Sequence, residues 1–343
     1  MLEEIRQQPA ALARTLAGET RRIEQFRRGL GGWRPKLIVL AARGTSDNAA
    51  QFGRYLLEIT TGIPVSLAAP SIYTLYKARV DLRDALVVGI SQSGESTDTN
   101  AALERAREQG VRTIGITNEP SSSMARYAAD LFLVHARKEK SVAATKTYTG
   151  QMMVLYLLAY ALGAEIRIDD LKRLPDRVES ALKLEERIGA LCERYRFMER
   201  AVVVGRGLNY ANAYEFALKL METCYVVTER FSSADFLHGP IAMVEPSFPV
   251  FLFAPQGVTA PSTRSMLTKL RGLKAETIVI TDAANRELAA EATRSIVLSG
   301  RIEELYTPIP YIIPAQILAG LLAAEKGLDP DRPRTLRKIT RTL

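Results

Sequence analysis

Short apolar runs alternate with longer amphipathic stretches along the chain. Runs at 37–42, 64–68, 85–90, 112–117 and 130–134 are almost continuous in Ile, Val, Leu and Ala, which predicts strands buried on both faces. Between and after them, 47–60, 97–109 and 146–163 carry helical patterns. The alternation then repeats. Strands are predicted at 201–205, 249–254, 276–281 and 295–298, with helices near 210–226, 261–272 and 311–326. Such an order predicts parallel sheets wrapped by helices, with ligands beyond the carboxyl ends of the strands.

The second half matches the first at an offset of 163–164 residues. Leu37-Ile-Val-Leu-Ala-Ala-Arg43-Gly44 corresponds to Ala201-Val-Val-Val-Gly-Arg206-Gly207, and Thr113-Ile-Gly-Ile-Thr-Asn118 to Thr277-Ile-Val-Ile-Thr-Asp282. Gln92 matches Gln256, and a glutamate closes the first helix of each copy, Glu58 and Glu222. Several matches in one order indicate a duplicated domain. The organisation read from this is a helical arm over 1–30, one domain over 31–165, a charged helical connector over 166–198, a second domain over 199–327 and a tail over 328–343.

Candidate chemistry gathers in three places. Ser91-Gln92-Ser93-Gly94-Glu95-Ser96-Thr97 follows a strand and opens a helix. Hydroxyls and backbone N–H groups crowded at a helix start make a phosphate cradle, whereas a plain N-cap needs only one hydroxyl. Thr45 and Ser46, at the end of the neighbouring strand, can line the same site. In the second copy Pro255-Gln256-Gly257-Val258-Thr259 has lost most of these hydroxyls, so one phosphate site per chain is expected. Glu215, Lys219 and Glu222 share one helix face, either a solvated salt-bridged stripe or the wall of a polar cavity. His238, in Leu237-His238-Gly239-Pro240, is an acid/base candidate or a capping residue; His135 carries no assignment.

Composition narrows the classes. Of 343 residues 47% are hydrophobic and 24% charged, an ordinary globular balance. Two cysteines, Cys192 and Cys224, cannot form a disulfide framework and read as buried small apolar residues; no metal-ligand spacing is present, so no cofactor or metal is expected. The segment Met1-Leu2-Glu3-Glu4-Ile5-Arg6 is charged, unlike a signal peptide, and the apolar stretch 152–164, about 13 residues, is short for a membrane span. A cytoplasmic protein is the expectation. The net charge of +8 suits sugar phosphates or nucleic acid. The basic residues are dispersed outside the tail (Arg332, Arg334, Arg337, Lys338, Arg341), without interleaved aromatics, so nucleic-acid binding is not expected.

Together these motifs resemble the double sugar isomerase (SIS) domain family, which includes the isomerase half of glutamine–fructose-6-phosphate aminotransferase and stand-alone glucosamine-6-phosphate deaminases. The resemblance rests also on Glu4-Ile5-Arg6-Gln7-Gln8-Pro9, Glu139-Lys140-Ser141-Val142-Ala143-Ala144-Thr145-Lys146 and Arg332-Pro333-Arg334-Thr335-Leu336-Arg337-Lys338. It implies two tandem α/β domains, each a flavodoxin-like, doubly wound, five-stranded parallel sheet. Ser46, Ser91, Gln92, Ser93 and Ser96 would bind phosphate, with Thr45 and Val142 next to the sugar. Glu222 would move a proton between C1 and C2, Lys219 would line the site, Lys338 would form a Schiff base, and His238 would open the sugar ring across a homodimer interface. Two positions depart from the synthase: Arg43, where it has a small residue or Cys, and Arg337, where it has Ala. Leu2 follows Met1 where the synthase carries its glutaminase cysteine, so glutamine hydrolysis by this chain is not expected. The expected reaction is deamination of glucosamine 6-phosphate to fructose 6-phosphate. Its alternatives are an isomerase or aminotransferase subunit using ammonia from solution or from a separate glutaminase subunit, a fructosamine-phosphate deglycase, and a non-catalytic sugar-phosphate sensor.

Overall fold

A computed structural model describes residues 1–336. The chain divides into two compact units, one built mainly from Gln7–Glu139 and Ala144–Pro175, the other from Met1–Arg6, Lys140–Ala143 and Asp176–Thr335.

The first unit holds strands β1 (Leu37–Ala41), β2 (Val65–Leu67), β3 (Ala85–Ile90), β4 (Arg112–Thr117) and β5 (Asp130–Leu133), in the order β2-β1-β3-β4-β5. All neighbours pair in parallel, Leu40 opposite Val88 and Val88 opposite Ile114. The central β3 is buried along its whole length, which is why its sequence shows no polar alternation. Helix Lys146–Ala161 is buried on nearly every side, against helices Gln8–Gly29 and Thr45–Thr61. On the other sheet face, Val39, Val87, Leu103 and Met124 share a core.

The second unit repeats the plan with β6 (Arg200–Gly205), β7 (Val227–Ser232), β8 (Pro249–Phe253), β9 (Glu276–Asp282) and β10 (Arg294–Leu298), ordered β10-β9-β8-β6-β7 and again parallel. Read in chain order this is the same 2-1-3-4-5 arrangement, so both sheets are doubly wound and flavodoxin-like. Strand β7 is absent from the apolar pattern because its composition is mostly polar, unlike the other edge strands β2, β5 and β10. Its residues Val-Thr-Glu-Arg-Phe-Ser are partly exposed and mostly polar. The helix read as 210–226 stops at Cys224, where Tyr225 takes a left-handed conformation (φ 55°).

The helix read as 311–326 spans Pro308–Glu325. Pro308 and Pro310 are tolerated in its first turn, where N–H groups lack intrahelical partners anyway. This helix, rather than 152–164, is the longest apolar element described. It is long and apolar enough to cross a membrane, yet 83% of it is buried inside the protein.

Candidate active site

In the first unit, two loops leave the carboxyl ends of the adjacent strands β1 and β3. One enters helix Thr45–Thr61 and the other helix Thr97–Glu108. From these two strands the chain proceeds toward opposite edges of the sheet, β1 to β2 and β3 to β4, the switch point at which parallel sheets bind ligands. Both helices direct N-termini, with their positive partial charge, toward the same strand ends.

The loop 91–96 is held from several sides. The Gln92 carbonyl accepts from Asn118 N (3.1 Å) and Thr117 Oγ1 (3.3 Å), and the Gly94 carbonyl from Asn100 Nδ2 (3.1 Å) and Met124 N (3.0 Å). Glu95 accepts from the backbone (2.8 Å) and hydroxyl (2.6 Å) of Ser123. Gly94 sits at φ +66°, and a Cβ there would fall 2.1 Å from Ser122 Oγ, so no other residue fits this turn.

Four hydroxyls of the predicted cradle share one hydrogen-bonding state. Ser46 Oγ accepts from Gln151 Nε2 (2.9 Å), Ser91 Oγ from Gly94 N (3.1 Å), Ser93 Oγ from Glu95 N (3.2 Å), and Ser96 Oγ from Thr99 N (3.4 Å) and Thr99 Oγ1 (3.0 Å). Each oxygen therefore has a protein donor, while its O–H donates to no described residue. A set of preoriented donors at helix N-termini suits an anion. Ser46 and Ser91 are buried, Thr45, Gln92, Ser93 and Ser96 half-buried. Gln151 was not singled out by the sequence reading; it lies 105 positions from Ser46, and only the fold joins them.

The second copy differs at the corresponding loop. Glu304 presents its carboxylate to Val258 N (2.5 Å) and to the Thr259 hydroxyl, at the entry to helix Ala260–Gly272. A Cβ at Gly257 would lie 1.9 Å from Glu304 Oε2. A side-chain carboxylate thus occupies the helix end that faces an open cradle in the first copy. The second copy therefore differs from the first at this helix start in its occupying carboxylate as well as in its missing hydroxyls. The other paired feature also diverges: Glu58 is used structurally, accepting from Val65 N (2.9 Å) at the start of β2.

On helix Tyr210–Cys224, Lys219 is fully buried between Glu215 (3.2 Å) and Glu222 (2.8 Å). Burial alone would neutralise the amine, but the two carboxylates outweigh it and hold its pKa above that of an ordinary lysine. The stripe is therefore a fixed, charged wall and not a solvated face. Glu215 is buried as well, whereas Glu222 keeps 22% of its side chain exposed and can reach a ligand.

His238 ends the short helix Ser233–Leu237, and it is exposed. Its ring meets no hydrogen-bond partner among the described residues. The structure does not bring it to Glu222. Helix Tyr210–Cys224 leaves the carboxyl end of β6 and returns to the start of β7, so Glu222 lies near one end of the sheet. His238 follows the other end of β7, whose six residues alone span roughly 16 Å.

Val142 is half-buried in a segment whose backbone is held by Glu4, which accepts from Lys140 N (2.5 Å) and Ser141 N (3.1 Å). Lys338 and Arg337 lie outside the described residues. The chain just before them is docked beside the end of the Glu222 helix: Arg334 N donates to the Tyr225 hydroxyl (2.8 Å), and its guanidinium stacks 4.4 Å over the Tyr225 ring. Burial pushes the thiols of Cys192 and Cys224 up to about 12 and about 11, so both are unreactive. No cluster able to hold a metal ion occurs among the described residues.

The comparisons with known proteins agree with this geometry. The SIS domain family model matches residues 33–161 and 196–326. A glutamine–fructose-6-phosphate aminotransferase (isomerizing) of Pyrococcus horikoshii is 36% identical over 345 residues, covering 98% of this chain and 57% of the relative. The chain thus spans little more than half the length of that protein. The C-terminal domain of glucosamine-fructose-6-phosphate aminotransferase from Francisella tularensis superposes with a TM-score of 0.87 at 31% identity, covering 97% of this chain and 98% of that one. Glucosamine-6-phosphate deaminase from Thermotoga maritima shares the fold, with a TM-score of 0.76 at 21% identity and 99% of each chain covered. Two matched repeats, two sheets of one topology and these similarities identify the chain as a member of the SIS-domain family, with two SIS domains in tandem.

Proposed function

We propose that this chain is an amino-sugar-phosphate isomerase that deaminates glucosamine 6-phosphate to fructose 6-phosphate and ammonia. The observation that carries the reading is the set of four serine hydroxyls, each supplied with a donor and each retaining its own O–H for an anion. The named relatives act on fructose 6-phosphate, which bears its phosphate on a six-carbon sugar.

The chemistry assigns the remaining roles. His238 opens the ring by exchanging protons at O1 and O5. Glu222 removes the proton from C2 of the open-chain aldose and returns it to C1, on one face, leaving an imine at C2. Water adds to that imine and ammonia departs, which balances the reaction. Lys219, kept charged by its two carboxylates, stabilises the anionic character that develops at the C1–C2 enolamine. Lys338 holds the keto sugar as a Schiff base in the family-derived assignment. Phosphate anchoring supplies binding energy remote from the reacting carbons and fixes their position.

A homodimer in which His238 serves the neighbouring subunit fits the placement of Glu222 and His238 at opposite ends of β7. The deaminating direction needs only substrate and water, whereas amination needs an ammonia donor as well. The reverse reaction, amination of fructose 6-phosphate, is the second reading, favoured by the names of the curated relatives.

Ser93→Ala is expected to weaken glucosamine 6-phosphate binding by about 1–3 kcal/mol, the worth of a hydrogen bond to a charged group, and to leave the weak binding of unphosphorylated glucosamine unchanged. Isothermal calorimetry with both ligands reads the difference. Equal affinity of variant and wild type for the phosphorylated sugar would remove this loop from the site.

A further inference from the structure

Arg43 projects from the carboxyl end of β1, just before the helix that carries Thr45 and Ser46. Its guanidinium donates from Nε (2.9 Å) and Nη2 (2.8 Å) to Asp98 Oδ2. Asp98 lies in the first turn of helix Thr97–Glu108, two residues beyond Ser96, and only 4% of its side chain is exposed. Half of the Arg43 side chain is exposed. The ion pair therefore ties the two loops of the cradle together, across 55 positions of sequence.

The charge of Asp98 is the notable feature. A carboxylate in the first turn is favourable to its own helix, because it meets the positive end. For the same reason it competes with any external anion brought to that end. At a separation of several ångströms the repulsion between a buried carboxylate and a phosphate is large enough to change affinity by orders of magnitude. Arg43 cancels that charge where it sits. Its field also reaches Asp47, in the first turn of the other helix: partial desolvation pushes the Asp47 carboxyl up, and Arg43 pulls it back down.

We infer that Arg43 is a positioning and charge-compensating residue of the phosphate cradle, acting through Asp98. It neutralises an acid that would repel the anion and holds the two loops in register. The inference rests on the proposed phosphate reading of this loop, and the test separates the two.

The test is a double-mutant cycle read by calorimetry, with glucosamine 6-phosphate and with inorganic sulfate as probes. Arg43→Ala is expected to weaken both probes on the order of ten- to a hundred-fold. Asp98→Asn alone is expected to bind at least as well as wild type. The double variant, Arg43→Ala with Asp98→Asn, is expected to recover most of the loss, because the acid that Arg43 masks is then gone. Arg43→Lys keeps the charge, and it is expected to bind close to wild type even if the alanine variant proves unstable. A double variant as weak as Arg43→Ala would overturn the inference, since Arg43 would then act on the anion directly. Unchanged binding in Arg43→Ala would overturn it as well. Wild-type protein that binds sulfate but not the sugar phosphate would defeat the substrate reading and leave the Arg43 cycle measurable with sulfate. Binding of neither probe by wild type would defeat both.

Discussion

A Glu222→Gln variant is expected to lose exchange of the substrate C2 proton with solvent by a factor of about 10²–10⁴, while sugar-phosphate binding survives. The substitution preserves size and one hydrogen bond to Lys219, 2.8 Å away, but removes the base. Lys219 retains Glu215 at 3.2 Å, so its charge stays paired and the helix keeps its packing. NMR of the C2 proton in deuterium oxide reads the exchange, and calorimetry with the same sugar phosphate reads binding. A variant that exchanges at the wild-type rate would show that another group moves the proton. One that neither binds nor exchanges would point to a structural role, because the cradle hydroxyls are untouched.

The second large effect concerns assembly. His238→Ala and Glu222→Gln chains are each expected to be nearly inactive alone, and to regain activity when mixed. The expectation follows from the proposed shared site and from β7: Glu222 precedes its start and His238 follows its end, so the two lie toward opposite ends of the strand. In a mixed homodimer one of the two composite sites has an intact Glu222 from one chain and an intact His238 from the other. The recovered activity should scale with the fraction of mixed dimers, which native mass spectrometry counts. Verified mixed dimers without activity would sink the shared-site arrangement, as would full activity in a monomer at assay concentration.

Much of the fold was legible because parallel strands buried on both faces write continuous apolar runs. Strands β1 to β6 and β8 to β10 fall within one residue, at each end, of the ranges read from the pattern. β7 was not legible because its own residues are neither continuously apolar nor cleanly alternating: Glu229 and Arg230 sit in its middle, partly open to water. The start of helix Pro308–Glu325 was hidden by prolines that read as loop but are harmless in a first turn.

The cradle was legible for a different reason. Ser91, Ser93 and Ser96 fall within six residues of one another, and their helix-opening position follows from local pattern. What sequence did not reveal were the pairings that complete it. Gln151 meets Ser46, Arg43 meets Asp98, and Glu304 caps the helix of the second copy across 45 positions. Each is a contact between elements far apart in the chain, set by topology and not by local spacing. The burial of Lys219 between two carboxylates belongs to the same class. Spacing placed the three groups on one face, but only packing made that face an interior wall.

Conversion of an amino-sugar phosphate is read by ammonia release from glucosamine 6-phosphate by the purified protein, coupled to detection of fructose 6-phosphate. Ammonia and fructose 6-phosphate are expected in equal amounts, formed at a rate that depends on Glu222. Glucosamine 6-phosphate that binds at the cradle and is recovered unchanged, with no ammonia and no exchange at C2, would contradict that conversion.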